Sequence, residues 1–146
     1  MPLDLARRAR RHLPPHRLWL AFAVAGVGVL HFASPKPFER IVPRAMGHAP
    51  LLVKVSGVAE LVGAALLAHP RTRRVGGWWL ALLFVAVFPA NVQMALDGGL
   101  KDQPWPASST ALAWLRLPLQ IPLVLWALHE ARARVAEPHA GYMSHH

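Results

Sequence analysis

Four long apolar runs, with most of the charge confined to the segments between and beyond them, constrain this chain more than any other feature. They are Leu18 to Ala33, Leu51 to Ala68, Val75 to Leu96 and Ala111 to His129. A soluble domain interleaves charges with apolar positions at period two or three to four; here the two are segregated. A helix needs ~17–25 residues to cross the hydrocarbon core, so the last three runs are long enough and the first is marginal unless its flanks extend it. Lipid offers no partner to an exposed amide, so spanning segments are helices or closed barrels, and runs this uniform lack the alternation of barrel strands. The sequence therefore predicts a single all-α domain, an integral membrane four-helix bundle. Its connections are tight at 70–74 and longer at 34–50 and 97–110, where Pro, Gly, Ser and charges accumulate.

Orientation follows from the cations, which are enriched in cytoplasmic flanks. With four spans, one side collects Arg7, Arg8, Arg10, Arg11 and Arg17, then Arg71, Arg73 and Arg74, then Arg132 and Arg134. The other side holds Lys36, Arg40, Arg44 and Lys101, with Lys54 and Arg116 near helix ends. Both termini are thus expected to be cytoplasmic, as a basic segment 1–17 and a tail 130–146, in a multi-pass membrane protein. Sixteen Lys and Arg against seven Asp and Glu invite a nucleic-acid reading, but no reader motif accompanies them. Anionic lipid headgroups are the simpler partner. The first run also reads as a retained helix: no small-x-small cleavage site follows in His31-Phe32-Ala33-Ser34-Pro35. Trp19, Trp78, Trp79, Trp114 and Trp126 sit near span ends, as interfacial anchors do.

Polar residues interrupt the runs at matched depths. Ser56, Asn91 and Arg116 lie ~7–8 Å below the external boundary, and Glu60 and Gln120 one turn deeper, at ~13 Å. Ser56 and Glu60 share a helix face, as do Arg116 and Gln120, both pairs being spaced i,i+4. Asn91 shares its stripe with Phe84 and Phe88, the expected aromatic walls of an amphipathic pocket. A charge in the membrane interior costs ~2.5–3.5 kcal/mol even on the lenient insertion scale, so Glu60 must face the bundle and pair or stay protonated. Arg116 is its expected partner, with Gln120 level with the carboxylate and His31 joining from the first helix. Pro89, Pro118 and Pro122 each free a carbonyl one turn back, which invites the same donors.

Other chemistries find little support. The chain has no cysteine, which excludes disulfides and thiolate ligands. Haem needs two facing histidines, and His48, His69 and His129 scatter over loops and opposite sides. No metal site is expected; His139, His145 and His146 form a polar tail able to take up metal only adventitiously. Ser108, Ser109 and Thr110 read as a helix N-cap region rather than nucleophiles. Gly26, Gly28, Gly76 and Gly77 read as packing glycines, and no catalytic constellation stands out.

The order of motifs carries one resemblance. His31-Phe32, Pro35-Lys36-Pro37-Phe38, Ile41-Val42-Pro43, Ser56-Gly57-Val58-Ala59-Glu60, Pro70-Arg71-Thr72-Arg73, Phe88-Pro89-Ala90-Asn91 and Arg116-Leu117-Pro118-Leu119-Gln120 together resemble the DoxX-like family of small bacterial four-helix membrane proteins, over about residues 18–130. The resemblance implies an inner-membrane protein linked to redox assemblies, with His31, Ser56, Glu60, Asn91, Arg116 and Gln120 as its polar set. The expected function is then a non-catalytic accessory subunit whose pocket near the periplasmic side receives a quinone-like or lipid headgroup. Membrane redox proteins and a second copy of the chain are the expected protein partners. Two alternatives are a scaffold whose buried ion-pair network serves folding alone, and a small-solute or proton transporter.

Because the chain lacks native cysteine, single-cysteine scanning has no background. Cysteines at Lys101 and Asp102 should react with an impermeant maleimide added outside intact cells, and one at Arg71 only after permeabilisation; the reverse pattern would invert the topology.

Overall fold

The computed structural model describes residues 16–133. The segment before residue 16 and the tail from residue 134, both expected on the cytoplasmic side, lie outside the described residues, as do His139, His145 and His146. Helix α1 spans His16–Ala33 and is followed by the short α2, Lys36–Ile41, and a 3-10 turn, Arg44–Met46. Then come α3, Ala49–Ala68, α4, Arg73–Ala86, α5, Phe88–Leu96, and α6, Thr110–Arg132. There is no strand among the described residues. Four units, α1, α3, the α4–α5 pair and α6, are each long and apolar enough to cross a membrane. The marginal first run gains its length at the start, where α1 begins at His16 rather than Leu18.

The third run is not one straight helix. Pro89 has no amide to offer the Val85 carbonyl, and its ring crowds the preceding turn. The chain breaks at Val87, whose amide still reaches the Leu83 carbonyl at 2.9 Å before α5 starts. In contrast, α6 carries Pro118 and Pro122 and continues through both. Its start is fixed by Ser109, whose hydroxyl accepts the Leu112 amide at 3.3 Å, satisfying one orphan donor of the first turn.

The packing runs in a row: α1 lies along α3, α3 along α4, and α4 along α6, with α5 also on α6. Helices α1 and α6 do not pack along one another. At the end that holds the α3–α4 connection all four units meet in one core, built from Leu20 and Val24, Ala64 and Leu67, Leu80 and Phe84, and Ala127. Glycines make this closeness possible. A Cβ on Gly76 would strike the Leu67 amide of α3, and one on Gly77 would lie 2.6 Å from the Ala127 carbonyl of α6. At the other end a smaller cluster of Met94, Ala95 and Ala113 packs with Ile41 and Leu100. The outer surface is apolar, with Phe22, Leu82 and Leu96 each about two-thirds exposed, which suits a lipid solvent far better than water.

Adding one methyl at Gly76 forces two backbones apart, whereas Gly26 faces open space. Gly76→Ala should lower the melting temperature in detergent, a loss of ~1–3 kcal/mol by overpacking. Gly26→Ala should leave melting unchanged or raise it, since alanine is the better helix former.

Candidate functional site

Above the converged core the helices part around a cavity of about 520 Å³. All six residues singled out in the sequence line it: His31 from α1, Ser56 and Glu60 from α3, Asn91 from α5, and Arg116 and Gln120 from α6. Phe84 supplies an aromatic wall. Phe88 does not; it belongs to the break after Val87 and is more than a third exposed. The break turns the stripe that a continuous helix would have kept in register, which corrects the expectation of two stacked phenylalanines on one wall.

The expected ion pair between Glu60 and Arg116 is also corrected. Glu60 is buried and its Oε2 lies 3.1 Å from His31 Nδ1, itself buried. Nδ1 is at the same time 2.9 Å from the Val27 carbonyl one turn back on α1. One ring nitrogen therefore faces two oxygens, and Oε2 has no other hydrogen-bond partner. Carboxyl and imidazole together can remain net neutral, which lowers the desolvation cost of placing a carboxylate here. The reason His31 takes the role is proximity: α1 and α3 pack so tightly that a Cβ on Gly57 would come within 2.8 Å of the His31 Cβ. Arg116 is one helix further off, across the cavity. It is exposed, and its Nη1 reaches only the Met94 sulfur, at 3.6 Å.

Asn91 and Gln120 form the second polar unit. Asn91 Nδ2 donates to Gln120 Oε1 at 2.9 Å, and Gln120 Nε2 donates to the Phe84 carbonyl at 2.6 Å. That carbonyl lies one turn before the helix break, so a buried glutamine on α6 repairs a backbone interrupted on α4. The remaining member, Ser56, stands differently: its hydroxyl is buried without a hydrogen-bond partner. Thus the cavity contains one satisfied amide pair, one His–Glu pair, one idle hydroxyl and one guanidinium at the rim.

The 34–50 segment, expected as a plain connection, instead supplies the cavity's cap. Phe38 of α2 stacks on His31, ring centroids 3.9 Å apart and 24° from parallel. Ile41, Val42, Pro43 and Met46 extend the cap over the cavity. The signal was present: Phe38, Ile41 and Val42 follow i, i+3, i+4 after Pro37 in the first turn. Arg40 of the cap is held to Asp102 of the 97–109 connection at 2.6 Å, an exposed pair that contributes ~0–1 kcal/mol. On the opposite flank the cavity is open. Ala23 and Val27 on α1 and Leu123 on α6 line it and are exposed, so it opens along the seam where α1 and α6 do not pack.

Comparison with known families gives a match over most of the chain. A family model described as Domain of unknown function (DUF8561) matches residues 20–131. The chain belongs to that family. This overturns the DoxX-like resemblance, since the matching model spans nearly the same stretch and no DoxX model matches it. No curated protein and no solved structure matches the chain.

Replacing Gln120 by Leu strands both the Asn91 amide and the Phe84 carbonyl, while Asn91→Leu strands only one group of Gln120. Gln120→Leu should therefore cost more, ~1–3 kcal/mol, and the double variant should cost less than the two singles together. Detergent melting of the four proteins in a double-mutant cycle checks this; strict additivity would show that the two amides do not couple.

Proposed function

We propose that this member of the DUF8561 family is a non-catalytic membrane binding protein that holds the head of an amphipathic, lipid-phase molecule in the capped cavity. The observation that carries the reading is the unmet polar capacity of the cavity: the Ser56 hydroxyl and the Arg116 guanidinium amid an apolar lining. Buried polar groups without partners are costly, and a ligand oxygen placed among them would meet a hydroxyl and a guanidinium donor. The volume lies within the ~300–1,000 Å³ of small-molecule sites. Entry through the seam between α1 and α6 requires no passage through water, which favours a molecule already dissolved in lipid.

The ligand class is an oxygen-bearing head on a hydrophobic tail. A quinone ring, with carbonyls toward Arg116 and Ser56 and its face toward Phe84, satisfies that description; so does the phosphate ester of a lipid headgroup. Membership in a redox assembly rested on the overturned resemblance and draws nothing from the cavity. A purely structural reading is favoured by one observation, the mutually satisfied Asn91–Gln120–Phe84 network, but it leaves Ser56 and Arg116 without a purpose. The helical spans support a multi-pass protein of a plasma-membrane-type bilayer, since outer membranes are the province of barrels. The cation asymmetry supports cytoplasmic termini, which puts the cap and cavity toward the outside.

Photoreactive short-chain quinone and photoreactive phosphatidylglycerol, each offered to the full chain in nanodiscs, test this. We expect one of them to crosslink to residues lining the cavity, with labelling ~10-fold or more weaker in Arg116→Leu, given the ~1.5–3 kcal/mol of a hydrogen bond to a charged group. Labelling of neither probe above background, or labelling indifferent to Arg116→Leu and Ser56→Leu, would defeat the reading.

A further inference from the structure

A second cluster of chemistry-bearing side chains lies at the opposite end of the bundle, where α1 begins and α6 ends. His16 Nε2 is 2.6 Å from Glu130 Oε1. The His129 ring lies beside that of His16, centroids 5.6 Å apart and inclined by 46°. One ligand atom from each of His16, His129 and Glu130 falls within 4.8 Å of the other two. Glu130 is nearly inaccessible, its side chain 2% exposed, while His16 stands at the surface with 62%. The cluster is thus a buried carboxylate reached from outside past two imidazoles.

We infer that His16, His129 and Glu130 form a binding site for a divalent transition-metal ion of the zinc class, which clasps the first span to the last. Two imidazoles and one carboxylate are a ligand set that zinc accepts with a fourth position left to water. Ligand atoms around such an ion, with bonds of ~2.0–2.1 Å, stand about 3.3 Å apart. The close pair has to open by less than an ångström and the wider pairs to contract, both within reach of side-chain rotation. His129 and Glu130 are neighbours on α6 and diverge by ~100° around its axis. They converge on one point only beside the helix, on the flank that His16 faces.

Two further observations support a cation at this point. The cluster sits in the last turn of α6, where the free carbonyls and the helix dipole favour positive charge. Glu130 Oε1 also lacks a properly directed hydrogen bond despite its burial, so the short approach of His16 leaves its acceptor capacity unused. The surroundings are basic: Arg17 follows His16, Arg132 follows in α6, and Arg74 of α4 donates through Nε to the Ala131 carbonyl at 3.2 Å. These cations set the dication against repulsion that Glu130 alone offsets, which makes Glu130 the ligand whose loss matters most. The location has a structural consequence. Because α1 and α6 do not pack along one another, a metal here would join the two helices at the base of the seam through which the cavity opens.

The test uses the purified full chain in detergent, with Co²⁺ as a spectroscopic probe and Zn²⁺ as competitor and stabiliser. The expected result is a visible Co²⁺ absorption of tetrahedral intensity, bleached by Zn²⁺, and a Zn²⁺-dependent rise in melting temperature. Both should be lost in Glu130→Gln and in His129→Asn. His16→Ala, a change at an exposed position that leaves the core intact, should weaken Zn²⁺ binding at least as much as the ~10–100-fold expected for outer-shell partners. Absence of any Zn²⁺ response in the unaltered protein overturns the inference. So does a response undiminished in His16→Ala and His129→Asn, which would move the metal to the histidines of the tail. Photolabelling of the cavity does not enter this readout, so the two proposals stand or fall separately.

Discussion

The intolerance of an apolar interior for unpartnered polar groups governs this structure. Apart from Ser56, whose buried hydroxyl has no partner, the polar side chains singled out inside the bundle are turned toward another element, and each pairing settles a packing question. Gln120 joins α6 to the broken end of α4, Asn91 joins α5 to α6 through it, and His31 joins α1 to α3 through Glu60. A hydrogen bond between helices in a membrane contributes only ~0.6 kcal/mol on average, so these contacts do not hold the bundle together by their strength. Their force is negative: rotating any one of the helices would strand a carboxyl, an amide or a carbonyl. Cohesion comes from the close backbone approach at Gly57, Gly76 and Gly77 and from the small-residue core beside them.

The same constraint accounts for the cavity. At one end, glycine and alanine let four units meet in one core. At the other, His31, Phe38, Arg116 and the broken α4–α5 unit are too bulky and too irregular to close, and the polar groups they carry cannot be buried against aliphatic neighbours without partners. The helices therefore separate, and the short α2 with its 3-10 turn folds over the opening. Convergence at one end and divergence at the other are two outcomes of residue size along the same four helices.

The fold was largely legible because the hydropathy pattern is coarse: four runs, four helical units long enough to span a bilayer. The polar set was legible too, since depth along a helix follows from counting residues, and all six residues line one cavity. Pairing was not. Glu60 and Arg116 looked complementary by charge and depth, but which helices adjoin is set by glycine contacts, and Gly57 brings α1 rather than α6 against α3. Phe88 was misplaced because a stripe extrapolated through Pro89 assumes a helix that the missing amide interrupts. The cap escaped notice because a six-residue helix is too short for periodicity to stand out among prolines.

The open seam between α1 and α6 distinguishes the two ends in a way that bears on how such a protein would work. Closing a bundle along its whole length would seal the cavity on every side, whereas the packing of α1 along α3 holds the first helix in place and leaves the seam to α6 open. Contact between α1 and α6 falls at the converged end, where Leu20, Val24 and Ala127 share one core and His16 meets Glu130. The His16–Glu130 contact adds a polar link to that core, on the far side of the Leu20–Leu67–Leu80 layer from the cavity. The cavity and the His16–Glu130 pair therefore lie toward opposite ends of α1, one where the bundle is open and one where it is closed.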